Sequence, residues 1–168
     1  MEQVLCGDIG GTKTRVAIAT VAGVAVTMIR EAEFKSADYA SFDALLAAFL
    51  ADDVVPARAA FGVAGPVDGR RVQATNLPWL IDADDLQRRF GFACALLNDL
   101  EATACGLPAL SDSDLLTLQD GAPDACGNEA VIAAGTGLGE AGLFWDGKAH
   151  CPFATEGGHA SLAPANTL

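Results

Sequence analysis

The spacing of apolar residues changes several times along the chain, and each change predicts an element. Val4-Leu5-Cys6 is a short apolar run that leads into Gly7-Asp8-Ile9-Gly10-Gly11-Thr12. Thr14 to Ala19 alternates, with β-branched content, and Val24 to Ile29 does likewise. This pattern predicts strands, and the sharp Gly10-Gly11 between two of them predicts a hairpin turn. The period then becomes helical: Phe42, Leu45, Leu46, Phe49 and Leu50 share a face behind Ser41, a good N-cap, which predicts a helix over 41–50.

Arg58 to Val63 is an apolar strand that ends in the turn Gly65-Pro66, and Val72 to Leu77 is a short extended piece. Asp82 caps a second helix over roughly 83–90, with Gly91 just past its end. Ala93 to Leu97 reads as a buried strand, ending in Asn98-Asp99, and a helix opens at about Leu100. Residues 111–128, rich in Ser, Asp, Gly and Pro, read as a surface connection or domain boundary. Glu129 to Ala134 and Glu140 to Trp145 are two further strands joined by Gly135-Thr136-Gly137-Leu138-Gly139. Strands first, then strand–helix alternation, indicate a mixed sheet with helices packed on it. No repeat of fixed period and no low-complexity tract is visible.

Composition narrows the classes. In 168 residues, 51% hydrophobic and 19% charged, the chain carries enough apolar side chains for a real core and is not intrinsically disordered. Its net charge is −12, with lysine only at 13, 35 and 148, which argues against nucleic acid and anionic membranes as partners. No apolar run approaches the ~20 residues of a membrane-spanning helix, and the acidic Met-Glu-Gln start is unlike a signal peptide. Five cysteines without a Cys-x-x-Cys pair read as reduced, buried thiols of a cytosolic protein, with disulfide or zinc frameworks as the alternatives.

Candidate chemistry gathers at glycine-rich turns. Asp8 to Thr14 and Gly135 to Gly139 could each present backbone N–H groups to a phosphate, with Thr12 and Thr136 adding hydroxyls. The first is not a Walker loop and is a poor dinucleotide fingerprint, because a strand rather than a helix follows it, and tight hairpins need glycine in any case. Asp8, at the end of a strand beside the first turn, implies Mg²⁺ between it and phosphate, or else an acid that starts the hairpin. Asp99 could accept a proton from a hydroxyl with Asn98 fixing its orientation, or one of the two simply caps the helix. Glu156 and His159 could bind neighbouring sugar hydroxyls, or sit in an exposed turn. Asp82, Asp84 and Asp85 favour a helix N-terminus over calcium. Trp79 reads as packing and His150 as surface or turn.

The segments GDIGGTKTRVAIA (7–19), FGVAGPVDG (61–69), TNLPW (75–79), LLNDLEATACGLPAL (96–110), AAGTGLGEAGL (133–143) and EGGHASLAP (156–164) follow one another in this order. In this they resemble the bacterial ATP-dependent glucokinase family, in the sugar-kinase branch of the actin/hexokinase/heat-shock-cognate ATPase fold. The resemblance runs over essentially the whole chain. It implies an α/β, ribonuclease H-like (actin-like ATPase) fold, with a mixed five-stranded sheet and flanking helices. Residues 1–110 would be the small domain and 111–168 the start of a larger α/β domain, in a family chain roughly twice this long.

The resemblance also implies the roles. Asp8, Gly10, Gly11, Thr12 and Lys13 correspond to the first phosphate loop, with Asp8 on the Mg²⁺ side, and Gly135, Thr136 and Gly137 to the second. Asp99 corresponds to the base at the sugar 6-hydroxyl; Asn98, Glu156 and His159 to groups that hold the ring hydroxyls; Asn76 to the wall of the sugar cleft. The implied activity is phosphorylation of glucose by ATP, with Mg²⁺, in a cytoplasmic enzyme that is a homodimer at full length. The visible motifs favour the zinc-free glucokinases over the related repressor/kinase (ROK) family. The alternatives are a kinase of another hexose or amino sugar and a non-catalytic sugar-binding regulator. The first loop begins at residue 7, which leaves a regulator no room for a helix-turn-helix before it. A chaperone-like or cytoskeletal ATPase would have no need of the Asn98-Asp99 and Glu156/His159 pairs.

Overall fold

The structure is a computed structural model, and it describes residues 1–51, 54–122, 125–135 and 137–161. Three antiparallel strands open the chain: β1 (Glu2–Ile9), β2 (Lys13–Ala22) and β3 (Ala25–Lys35). β1 also pairs in parallel with β4 (Arg58–Val63), and β4 with β8 (Ala93–Asn98), giving a five-stranded mixed sheet of order β3-β2-β1-β4-β8. Between β4 and β8 the chain forms a small antiparallel sheet of β5 (Val67–Asp68), β6 (Arg71–Gln73) and β7 (Leu80–Asp82). A third sheet, of order β11-β10-β9, consists of β9 (Glu129–Ala134), β10 (Leu138–Trp145) and β11 (His150–Ala154). No helix among the described residues is long and apolar enough to cross a membrane.

The predicted helices form, with the predicted caps. Ser41 Oγ accepts from the Ala44 amide at the head of α1 (Phe42–Leu50). Asp82 accepts from the amides of Asp84 and Asp85 at the head of α2 (Ala83–Phe90), and Gly91 closes that helix at φ 84°, a left-handed position suited to glycine. Both helices belong to the main core, in which Phe42, Leu46 and Leu86 meet Leu5, Phe61 and Trp79. Trp79 is buried, as expected, and its indole N–H donates to the Tyr39 carbonyl at 3.2 Å. On the other face of the sheet lies α3 (Asp99–Gly106), which also packs on β10 through a second cluster of Ala104, Ala141 and Leu143.

Four expectations change. The extended piece at 72–77 is only β6 followed by a turn, because Ala74 N–H bonds back to the Trp79 carbonyl. His150 stands in strand β11, half-buried, with a ring nitrogen 2.9 Å from the Gly127 carbonyl, rather than in a turn. Strand β8 is not buried throughout, because it is the sheet edge and of its residues only Cys94 is fully covered. The thiols are not all buried either. Cys94 is buried, and burial pushes its thiol up to about 11, but Cys105, Cys126 and Cys151 are exposed. Each lies on a part of its segment that nothing covers, and small neighbours in sequence do not bury a residue.

A buried hydroxyl pair joins the sheet to the first glycine turn. Ser36 follows β3, and its Oγ donates to the Gly10 carbonyl at 2.9 Å while its N–H donates to the Thr12 carbonyl at 3.0 Å. Ser36 has one hydroxyl hydrogen, so Thr14 is the donor in the 3.0 Å contact between the two side chains. Both residues are fully buried. Ser36→Ala strands the Thr14 donor and should destabilise the protein by ~1–3 kcal/mol in chemical unfolding. Adding Thr14→Val should cost less than it does alone; strict additivity of the two changes would show that the pair is not coupled.

Candidate active site

The parallel register sets the site. Asp8, Gly62 and Leu97 lie side by side on β1, β4 and β8, and one residue further on come Ile9, Val63 and Asn98. Successive side chains point to opposite faces. Ile9 and Val63 enter the main core, so Asp8 and Gly62 look out on the face that α3 covers. All three strands end at this edge, where open α/β sheets place ligands.

Asn98 is the N-cap of α3. Its Oδ1 accepts from the Leu100 and Glu101 amides at 3.0 and 3.4 Å, and its Nδ2 donates to the Gly65 carbonyl at 3.2 Å. Capping and chemistry are therefore not exclusive: the cap uses the oxygen, and one of the two amide hydrogens remains. Asp99 is the first residue of the helix, half-buried, with Oδ1 2.9 Å from the Leu100 amide. Partial loss of water raises the carboxyl of Asp8 above its ordinary range, although its side chain reaches solvent. The charge of Asp99 raises it further, and Arg15 opposes the rise. Asp8 and Asp99 thus form a pair of acids that feel one another across the edge of the sheet.

Beside them is the first glycine turn. The Gly10 amide closes it on the Lys13 carbonyl at 3.0 Å, and a Cβ on Gly10 would lie 2.9 Å from that oxygen. The amides of Gly11 and Thr12, at the tip, make no hydrogen bond among the described residues and are open to an anion. Lys13 and Arg15 both lean on Glu33, at 2.6 and 2.9 Å, which leaves the turn itself with little free positive charge. Asn76 is exposed and left-handed (φ 61°), and a Cβ on Gly11 would sit 3.3 Å from its Cβ. Its loop is therefore folded onto the first turn.

The second glycine turn leads into β10, with the Gly135 amide donating to the Gly137 carbonyl at 2.9 Å, and both glycines are exposed. Thr136 lies outside the described residues. Glu156 precedes a single 3-10 turn (Gly157–His159) that ends on His159, and the two pair through Oε2 and Nδ1 at 3.0 Å, both exposed. The two glycines between them lie on β10: a Cβ on Gly158 would collide with the Leu138 carbonyl, and one on Gly157 with the Glu140 carboxylate. Among the described residues no group of three or more His, Cys, Asp or Glu side chains is placed to hold a metal ion. The carboxylate of Asp8 is of the kind that Mg²⁺ takes, one or two at a time, with water and phosphate completing the shell.

Two residues outside the predicted set shape the site. Ser36 braces the first turn, which needed the fold of β3 to become visible. Gly62, inside one of the quoted motifs, lies under α3, where a Cβ would be 2.9 Å from the Ala102 Cβ and 3.7 Å from the Asp99 Cα. Its position in an apolar strand, where glycine is a poor former, was the available signal.

Residues 5–168 match the family model described as Glucokinase. The chain is 36% identical to a glucokinase of Trichormus variabilis over 173 residues, covering 100% of this chain and 51% of that one. The crystal structure of a glucokinase from an Antarctic psychrotroph matches with a TM-score of 0.85 at 31% identity, over 99% of this chain and 53% of the other. A glucokinase of Balamuthia mandrillaris, solved in complex with glucose, shares the fold with a TM-score of 0.71 at 24% identity, over 98% of this chain and 50% of that chain. The chain thus spans about half the length of the curated relatives it matches. The six ordered motifs, the mixed sheet with its parallel strand ends and these matches agree, and the chain belongs to the glucokinase family.

Proposed function

We propose that the protein, at the length of its relatives, transfers the γ-phosphate of ATP to the 6-hydroxyl of glucose. The observation that carries this reading is the pair of acids Asp8 and Asp99 on one sheet edge beside open turn amides. Membership of the glucokinase family supports ATP as the phosphate donor and glucose as the sugar. Residues 1–110 form the small domain and 111–168 begin a larger one. The working enzyme is a cytoplasmic homodimer that binds neither nucleic acid nor membranes.

Each group then has a task. Asp99 takes the proton of the sugar hydroxyl as its oxygen attacks the γ-phosphorus. The free amide hydrogen of Asn98 holds a neighbouring hydroxyl, and Glu156 and His159 exchange their mutual contact for contacts to the ring. Asn76 walls the cleft against the first turn. The amides of Gly11 and Thr12, with Gly10 and Lys13 shaping their turn, receive the phosphates from one side. The turn of Gly135, Thr136 and Gly137 receives them from the other. Asp8 and its waters would hold Mg²⁺, which neutralises phosphate charge. Positioning and electrostatics supply most of the rate in such transfers.

Asp99→Asn should lower kcat by at least ~10²-fold and leave glucose binding measurable by titration calorimetry. Near-normal turnover would remove Asp99 from the role of base, and faster turnover of mannose or fructose in a coupled ADP assay would replace glucose as substrate. Asp8 gives a second test. Its carboxyl holds a proton more tightly folded than unfolded, so its stabilising share is present in acid and is lost as pH rises through the raised value. Asp8→Asn should therefore raise Tm at neutral pH without Mg²⁺, and the gain should fade in acid. A lower Tm at neutral pH would show that the Asp8 charge is not a burden on the fold.

A further inference from the structure

Gly62 occupies an unusual place. It is buried in the middle strand of the parallel trio, between Asp8 on β1 and Leu97 on β8, on the face that α3 covers. A Cβ there would lie 2.9 Å from the Ala102 Cβ, closer than two carbon atoms tolerate, and 3.7 Å from the Asp99 Cα. Its backbone has no left-handed conformation to explain a glycine. The close approach of α3 is thus the physical demand that the structure shows at this position. The opposite side of that helix meets a second glycine, since a Cβ on Gly139 of β10 would lie 2.8 Å from Leu100 Cδ2. The first turn of α3 is therefore held between two sheets, each lacking a side chain at the point of contact.

We propose that Gly62 is a positioning residue for phosphoryl transfer: its missing side chain seats the first turn of α3, and so sets Asp99 at its working distance from Asp8. The proposal rests on the reading of Asp99 as the base. A Cβ at residue 62 pushes against Ala102, one turn along the helix from Asp99, and moves the Asp99 backbone away from the sheet. Asn98 at the end of β8 holds the helix start by its cap, so the displacement tilts α3 rather than releasing it. The sugar-binding pair Glu156 and His159 is carried by a separate turn, seated on Leu138 and Glu140 of β10 rather than on β4.

The test uses the full-length kinase with steady-state kinetics on four variants. Gly62→Ala should lower kcat by about 10- to 100-fold, the penalty for misplacing a reacting group by about an ångström, with the KM for glucose changed by less than about threefold. In an Asp99→Asn background the same change should cost less than about twofold further, because a residue that acts through Asp99 has nothing left to act on. Gly62→Ala with Ala102→Gly should recover most of the lost rate, and this double variant also decides the matter where the single one folds poorly. A wild-type rate in Gly62→Ala, an equal further loss in the Asp99→Asn background, or a double variant that stays slow or unfolded would each overturn the assignment. Normal turnover of Asp99→Asn alone would instead sink the base, whereas a normal Gly62→Ala beside a slow Asp99→Asn would sink only Gly62.

Discussion

The parallel pairing of β1, β4 and β8 is the constraint on which the rest depends. Because these strands run in the same direction, their ends reach one edge together, and Asp8, Gly65 and Asn98 become neighbours although they are far apart in the chain. An antiparallel arrangement of the same three segments would have scattered them to opposite edges. The parallel pairs also force crossover connections, supplied here by α1 and by the small sheet with α2, and these bring Phe42, Trp79 and Leu86 over the inner face. The core and the site are two faces of one set of strands.

That arrangement concentrates negative charge. Asp8 meets Asp99 across the sheet edge, and the nearby cations Lys13 and Arg15 are already engaged by Glu33. A phosphate chain approaching this edge would meet uncharged donors, the backbone amides of the turn, rather than basic side chains. Repulsion between the two acids, which Arg15 only partly offsets, would favour a cation arriving with the phosphates. Local donors of this kind would let a chain with net charge −12 take the polyanionic ligand proposed for it.

Close backbone approach is the other recurring device. Gly10 lets the first turn close, Gly62 and Gly139 admit α3 from two sides, and Gly157-Gly158 lays the Glu156/His159 turn on β10. Buried side chains then hold the close-packed pieces: Ser36 and Thr14 under the first turn, and the Asn98 cap at the head of α3. The parts that bear the chemistry are short and exposed, and their geometry comes from the packed elements beneath them.

Much of this was legible in the residues alone. Ser41 and Asp82 announced the heads of α1 and α2, Gly91 announced the end of α2, and Gly10-Gly11 announced the hairpin, because caps and tight turns are local chemistry. The order of the motifs was enough for the family. What the pattern misjudged was context: β8 became an edge strand, β5, β7 and β11 were missed, and three cysteines stayed exposed, since strand length and burial depend on partners distant in sequence. Only the folded chain decided that Asn98 caps and still retains a donor, that Ser36 braces Gly10, and that Gly62 lies under Asp99. The sequence by itself determined which residues can turn, cap and carry charge. Which of them meet was decided by the parallel register, which joins residues tens of positions apart and leaves no local trace.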